Sequence, residues 1–380
     1  MSWMNTPFPA SKIYWTSIFG LIVFCAGLSA QQSPVVDSGV ALSTLSTDRS
    51  QADANLDRPS KRDISSRSLA PKNVENWFTP SLEGSDLKSS AAMVGEVDVQ
   101  PGFARELTRV QWRAGDPIDL YIVKPTMVQK PPVILYLYSY PFETDRFRDN
   151  NFCRFLVQNG FAAVGFASAL TGQRYHDRSM KEWFVSELPE SLASSAHDVQ
   201  MILNYLATRS DVDTSQVGMF GDGSGATIAI LAAAVDPRIG ALDLIDPWGD
   251  WPDWIAKSTL VPDKERPGML SPEFLAAVAP LDPLQWLPKL KTPKVRIQEL
   301  KSVTVTPEES RLKLVAAAPP NIQVIRYGGT KEFLNTVSGG KGLDWIKGQL
   351  RPGGALSQFR ATTGHSQSET SSTQAKIARQ

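Results

Sequence analysis

Gly221-Asp222-Gly223-Ser224-Gly225 is the stretch of this chain best suited to do chemistry. It sets a carboxylate and a hydroxyl among alternate glycines, between an apolar strand-like run from Gln216 to Phe220 and an apolar helix-like run from Thr227 to Ala234. A tight turn that feeds straight into a helix lifts one side chain clear of the sheet. Such a turn suits nucleophilic attack on a carbonyl. A hydroxyl such as Ser224 or a carboxylate such as Asp222 attacks, a histidine takes the proton, an acid orients the histidine, and two backbone donors hold the oxyanion.

The partners such a nucleophile needs are scarce. Only three histidines occur in 380 residues. His176, in Gln173-Arg-Tyr-His-Asp177, follows the apolar run that ends at Phe166 and either overhangs the same edge or is a solvated loop residue. His197 lies inside a helical pattern, where it packs or caps, and His365 lies in a polar tail. Acids are better supplied. Asp246-Pro-Trp-Gly-Asp250-Trp-Pro-Asp253-Trp254 follows the run from Ala241 to Ile245, so Asp246 and Asp250 stand at a strand end. They either orient a histidine or cap the following helix. Trp248, Trp251, Trp254 and Trp286 offer apolar and stacking surface to a ligand at that edge.

The elements that must position these residues alternate strand with helix. Glu106 to Trp112 and Ile118 to Val123 flank Ala114-Gly-Asp-Pro117 and read as an antiparallel hairpin. Val133 to Tyr138 is a continuous apolar run, as expected of a strand covered on both faces. Phe152 to Gln158 reads as a helix ended by Asn159-Gly160, and Phe161 to Phe166 as the next buried strand. Ala196 to Thr208 is amphipathic, with Val199, Ile202 and Leu206 on one face. Beyond the glycine turn come strands at Ala241 to Ile245, Lys294 to Glu299 and Ile322 to Tyr327, and a closing helix from Gly342 to Leu350. This order predicts an α/β fold with a mainly parallel sheet, helices on both faces and an N-terminal antiparallel hairpin. Residues 248–286, rich in Pro, Trp and Asp, break the rhythm and are expected to lie over the sheet as a lid.

The hairpin ending in Lys124-Pro125, the buried strand after Pro131-Pro132, His197-Asp-Val followed by Asn204-Tyr-Leu, and Asp211-Val-Asp-Thr-Ser-Gln-Val-Gly-Met-Phe-Gly221 form a combined signature. On these residues the chain from about Glu106 to Leu350 resembles an α/β-hydrolase. Its layout is closest to the dienelactone hydrolase and prolyl-oligopeptidase-like esterase groups. The resemblance implies an elbow of pattern G-x-S-x-G. Laid on without gaps, that pattern puts Gly221 and Gly225 at its outer small positions and Gly223 at the nucleophile, with Ser224 one place late. Shifting it by one makes Ser224 the apex and puts Asp222 where a small residue belongs. Asp222 is also similar to the carboxylate nucleophile of dehalogenase-like relatives, again one residue off. The family's histidine follows the last strand, where this chain has Thr330. After the strand through Ile297 the only carboxylate is Glu299, which comes too early, so Asp246 or Asp250 is the acid implied. In the oxyanion loop Tyr138-Ser139-Tyr140-Pro141 stands in place of a His-Gly pair, and its tyrosines are expected to narrow or fill the pocket.

Two readings of function follow. In one, the protein keeps the fold, has lost the triad and acts by binding a ligand or partner. In the other, it is a serine ester or peptide hydrolase in which Ser224 attacks, His176 is the base, and Asp246 or Asp250 orients it. A partner-binding protein of the cell envelope is a third class, marked by an apolar surface patch.

Composition bounds the rest. Lys plus Arg and Asp plus Glu number 39 each, so the net charge is zero, and there is no basic stripe to suggest a nucleic-acid partner. Lys12 precedes an uncharged apolar run from Ile13 to Ala30. Residues 1–30 therefore read as a signal peptide cut after Leu28-Ser-Ala30 or, uncut, as a membrane anchor, and the body is expected to be exported. Phe24 before Cys25 argues against lipidation there. If the signal is removed, Cys153 has no intramolecular partner, so neither disulfides nor structural zinc are expected, and no cofactor is implied. Residues 31–72 and 351–380 read as a disordered linker and tail around a domain spanning 73–350.

Overall fold

Alternate residues of the apolar run after Pro131 belong to two different cores. Val133, Leu135 and Leu137 pack into one, and Ile134, Tyr136 and Tyr138 into the other. That division explains why the run has no polar face. The computed structural model describes residues 87–112, 116–139, 144–170, 188–338 and 341–350. The expected signal or anchor, linker and tail, together with Tyr140, His176 and His365, lie outside the described residues.

Among the described residues nine strands form one sheet in the order β1-β2-β3-β5-β4-β6-β7-β8-β9. They are β1 (Met93–Gln100), β2 (Phe103–Val110), β3 (Ile118–Pro125), β4 (Pro132–Leu137), β5 (Ala162–Phe166), β6 (Asp213–Asp222), β7 (Ile239–Ile245), β8 (Lys294–Leu300) and β9 (Gln323–Tyr327). β1 to β3 pair antiparallel, and β3 joins β5 antiparallel. From β5 across β4, β6, β7 and β8 to β9 every pairing is parallel. The expected hairpin is β2–β3. β1 is an additional edge strand with Met93, Val94, Val97 and Val99 exposed.

Helices cover both faces. α1 (Asn150–Val157) starts at Asp149, whose carboxylate accepts the Phe152 N–H at 2.7 Å. α2 (Leu188–Ala207) and α3 (Ser224–Ala233) pack with the cluster that contains Val133, Leu135 and Leu137. Between β7 and β8 run four short helices: α4 (Trp251–Lys257), α5 (Arg266–Met269), α6 (Pro272–Val278) and α7 (Pro283–Trp286). α8 (Glu308–Ala317) and α9 (Thr330–Val337) flank β9, and α10 (Lys341–Leu350) lies over β6 and β7 on the face of Tyr136. Among the described residues no helix is long and apolar enough to cross a membrane.

A buried polar network joins the last strands. Arg296 on β8 grips Asp243 on β7 through Nε at 2.8 Å and Nη2 at 2.5 Å. Gln298 adds a bond to Asp243 at 2.8 Å and accepts the Tyr327 hydroxyl of β9 at 2.9 Å. Burial pushes the Asp243 carboxyl upward, while the guanidinium and the Gln298 amide oppose that shift.

Candidate functional site

β6 ends and α3 begins around one residue. Gly223 has φ 53° and ψ −115°, a backbone state that side-chain-bearing residues seldom adopt. Its neighbours are fixed by backbone crowding. A Cβ on Gly221 would stand 2.5 Å from the Ala226 Cα, and one on Gly225 would run into the Leu137 carbonyl. Gly223 thus stands at the turn between β6 and α3. Ser224 is the first residue of α3 and is fully buried, so the alternative register with Ser224 at the apex is not the one adopted. Thr227 ties the turn to the next loop, donating to the Trp248 carbonyl at 2.7 Å.

Strand register sets what stands beside the apex. Leu137 of β4 pairs with Gly221, Asp222 pairs with Ile245 of β7, and Ile245 pairs with Gln298 of β8. Ser139, Gly223, Asp246 and Glu299 accordingly form one row along the C-terminal edge of the sheet, where open α/β folds place their ligand crevices. Gly223 N–H donates to the Ile245 carbonyl at 2.9 Å, and Asp246 N–H to the Gln298 carbonyl at 3.0 Å.

Ser139 is half-buried, and its hydroxyl lies 2.5 Å from where a Cβ on Gly223 would stand; Trp248 Nε1 lies 3.1 Å from the same point. Tyr138, expected to narrow or fill the pocket, packs into the core. It is buried with Tyr136, Phe152 and Phe220, its ring centroid 5.9 Å from those of Phe152 and Phe220, because side chains alternate faces along a strand.

The acids divide into two kinds. Asp222 is partly accessible, and its carboxyl is pushed up to about 7 by desolvation, with Arg146 pulling the other way. Arg146 was not anticipated: no spacing in the sequence links it to the elbow. Burial lowers its own pKa, against the opposing pull of Tyr138, Asp222 and Asp149. Asp246 has φ 39°, is buried, and is pushed up to about 8 by desolvation, with Asp222 and Glu299 adding to the rise. Asp250, the other expected orienting acid, is committed elsewhere. It accepts from Lys313 Nζ at 2.9 Å and Ser310 Oγ at 3.1 Å, which fastens the start of α4 to α8. Asp282 caps the same point, taking the N–H groups of Asp250 and Trp251 at 2.9 and 3.1 Å.

Thr330 opens α9, and its N–H donates to Ser302 Oγ at 3.2 Å; its hydroxyl also lies 3.1 Å from that oxygen. Glu299 is paired with Arg326 at 2.6 Å. His197 is buried in α2, with its ring 5.7 Å from that of Trp112. Among the described residues no histidine stands at the edge that carries Gly223.

The tryptophans correct an expectation. Trp248, Trp251 and Trp254 are 2%, 0% and 0% exposed, so they give a ligand no open surface. Trp254 packs against both of the others, with centroids 5.0 and 5.6 Å away. In this case large apolar rings close a core rather than line a rim. Trp286 is half-buried, with Lys289 Nζ 4.2 Å above its ring. The stretch expected to be a lid therefore contributes packed helices whose aromatic residues belong to the main core.

No family model and no curated protein matches the sequence. Solved structures do match the fold. The acetyl xylan esterase from Paenibacillus sp. R4 superposes with a TM-score of 0.50 at 18% identity, covering 62% of this chain and 82% of that one. Acetyl xylan esterase 1 from Thermoanaerobacterium sp. JW/SL YS485 gives 0.51 at 14% identity, covering 65% and 83%. With its mostly parallel sheet, its glycine elbow between β6 and α3 and these structural neighbours, the chain has the α/β-hydrolase fold.

Proposed function

We propose that this protein uses the C-terminal edge of its sheet to bind an ester-like small molecule or a partner, and does not turn over esters through a Ser-His-Asp triad. One observation carries the reading: the elbow is fully formed, yet its apex is Gly223, which has no atom to attack with, while Ser224 is enclosed in α3. The commitment of Asp250 to Lys313 and the presence of Thr330 after β9 support it. Loss of one triad member alone costs on the order of 10⁴-fold or more in rate.

The test is a panel of short p-nitrophenyl esters assayed with the full chain. Catalytic turnover is expected to be absent. Sustained turnover that disappears in Ser224→Ala overturns the reading in favour of the serine hydrolase. Export belongs to the same proposal, with residues 13–30 acting as a cleaved signal or a retained anchor. Fractionation of C-terminally tagged full-length protein tests it, and recovery of the unprocessed protein from the cytosol counts against it.

A further inference from the structure

Ser139 follows β4 and Gly223 follows β6, and the register of these neighbouring parallel strands sets the two residues level. A serine at the apex would carry its oxygen one bond out from the Cβ of residue 223, and the Ser139 hydroxyl lies 2.5 Å from that Cβ position. Ser139 therefore fills the space an apex side chain would use, but enters it from the adjacent strand. It is half-buried, so a ligand can reach it, whereas Ser224 is fully buried. The opening turn of α3 meets the same space, and the positive end of its dipole favours negative charge developing on an oxygen there.

We propose that Ser139 is the reactive hydroxyl of this site and accepts an acyl or phosphonyl group from an ester or activated phosphonate. The inference rests on the reading that the apex is bare. In the step, Oγ attacks the carbonyl carbon or phosphorus and the new Oγ–C or Oγ–P bond replaces the bond to the leaving group. The Oγ proton passes to water; an alkoxide leaving group takes a proton back from that water and departs as the alcohol, whereas fluoride departs as the anion. The proposed step stops at this adduct, one per chain.

The experiment treats the full chain with an alkyl fluorophosphonate and maps the adduct by intact mass and peptide mass spectrometry. A single adduct on the peptide containing Ser139 is expected. It should be lost in Ser139→Ala and retained in Ser224→Ala, with both variants checked for an unchanged unfolding transition. In the double variant Ser139→Gly with Gly223→Ser the label should move to residue 223. Absence of any adduct, or an adduct that survives Ser139→Ala, overturns the proposal while leaving the bare apex standing. An adduct on Ser224 overturns both.

Discussion

Asp246 accepts the Leu300 N–H with both carboxyl oxygens, at 3.1 and 3.3 Å, and so fastens the end of β7 to the end of β8. Its pKa in the fold is about 8, raised chiefly by desolvation. An unfolded aspartate ionises near pH ~4. Between these values the unfolded chain releases a proton that the folded chain keeps, so stability falls as pH climbs through that window. Asp246→Asn keeps an accepting oxygen and does not titrate. Relative to the wild type it is expected to gain stability steadily from about pH 4 to about pH 8. Urea midpoints at several pH values check this; a difference that shrinks over the range contradicts it.

Lys347 on α10 is 1% exposed and sits beside the Phe155 ring, with Nζ 5.9 Å from the centroid. Desolvation lowers its pKa to about 8, with Asp344 opposing. Below that pH the amine is charged in both states, and the fold bears the cost of burying the charge. Between about 8 and about 10.4 the folded amine is neutral while the unfolded one is still charged, so the wild type regains stability as pH rises. Lys347→Met removes the titration. It is expected to be more stable than the wild type by about 1–3 kcal/mol at pH 7, with the gain gone above pH ~10.5. Denaturant unfolding at pH 7 and pH 10.5 decides the point.

Breaking the Asp243–Arg296 pair leaves a buried charge with nothing to neutralise it. Asp243→Ala is expected to cost about 3–5 kcal/mol, whereas Asp243→Leu combined with Arg296→Met should recover much of that loss. Equal destabilisation by the single and the double replacement is the contrary result.

The elbow glycines should differ in tolerance. A Cβ on Gly225 meets the Leu137 backbone, which cannot give way, so Gly225→Ala is expected to prevent stable folding. At Gly223 the nearest obstacle is the Ser139 side chain. Gly223→Ala combines positive-φ strain with that clash, together about 2–4 kcal/mol. Adding Ser139→Gly should relieve the clash and leave only the strain. Thermal melts of the three variants rank them, and failure of Ser139→Gly to help means the hydroxyl is not the obstacle.

Much of the scaffold was legible because it is encoded locally. The run from Val133 to Tyr138 is apolar throughout, and the strand it forms is indeed buried on both faces. α2 is described from Leu188, eight residues before the reading Ala196 to Thr208, and these added turns are rich in serine. There Ser195 donates to the Ser191 carbonyl at 2.7 Å and accepts the Ala169 N–H at 2.9 Å, so polar residues are buried without an apolar pattern to announce them. β1 escaped notice because its residues are mostly exposed and carry no burial period. The tryptophans misled for a related reason: ring size signals burial of some kind, but not whether a ligand or the core covers the ring.

The sequence by itself determined that residue 223 brings no side chain to the elbow and that a threonine, not a histidine, opens the helix after β9. Those facts are local, set by residue type and by the steep steric limits on a tight turn. Only the tertiary structure decided that Ser139 would fill the vacant space and that Asp250 would be held by Lys313. Both depend on strand register and helix packing between segments far apart in the chain, and register is fixed cooperatively by the two cores on either side of the sheet.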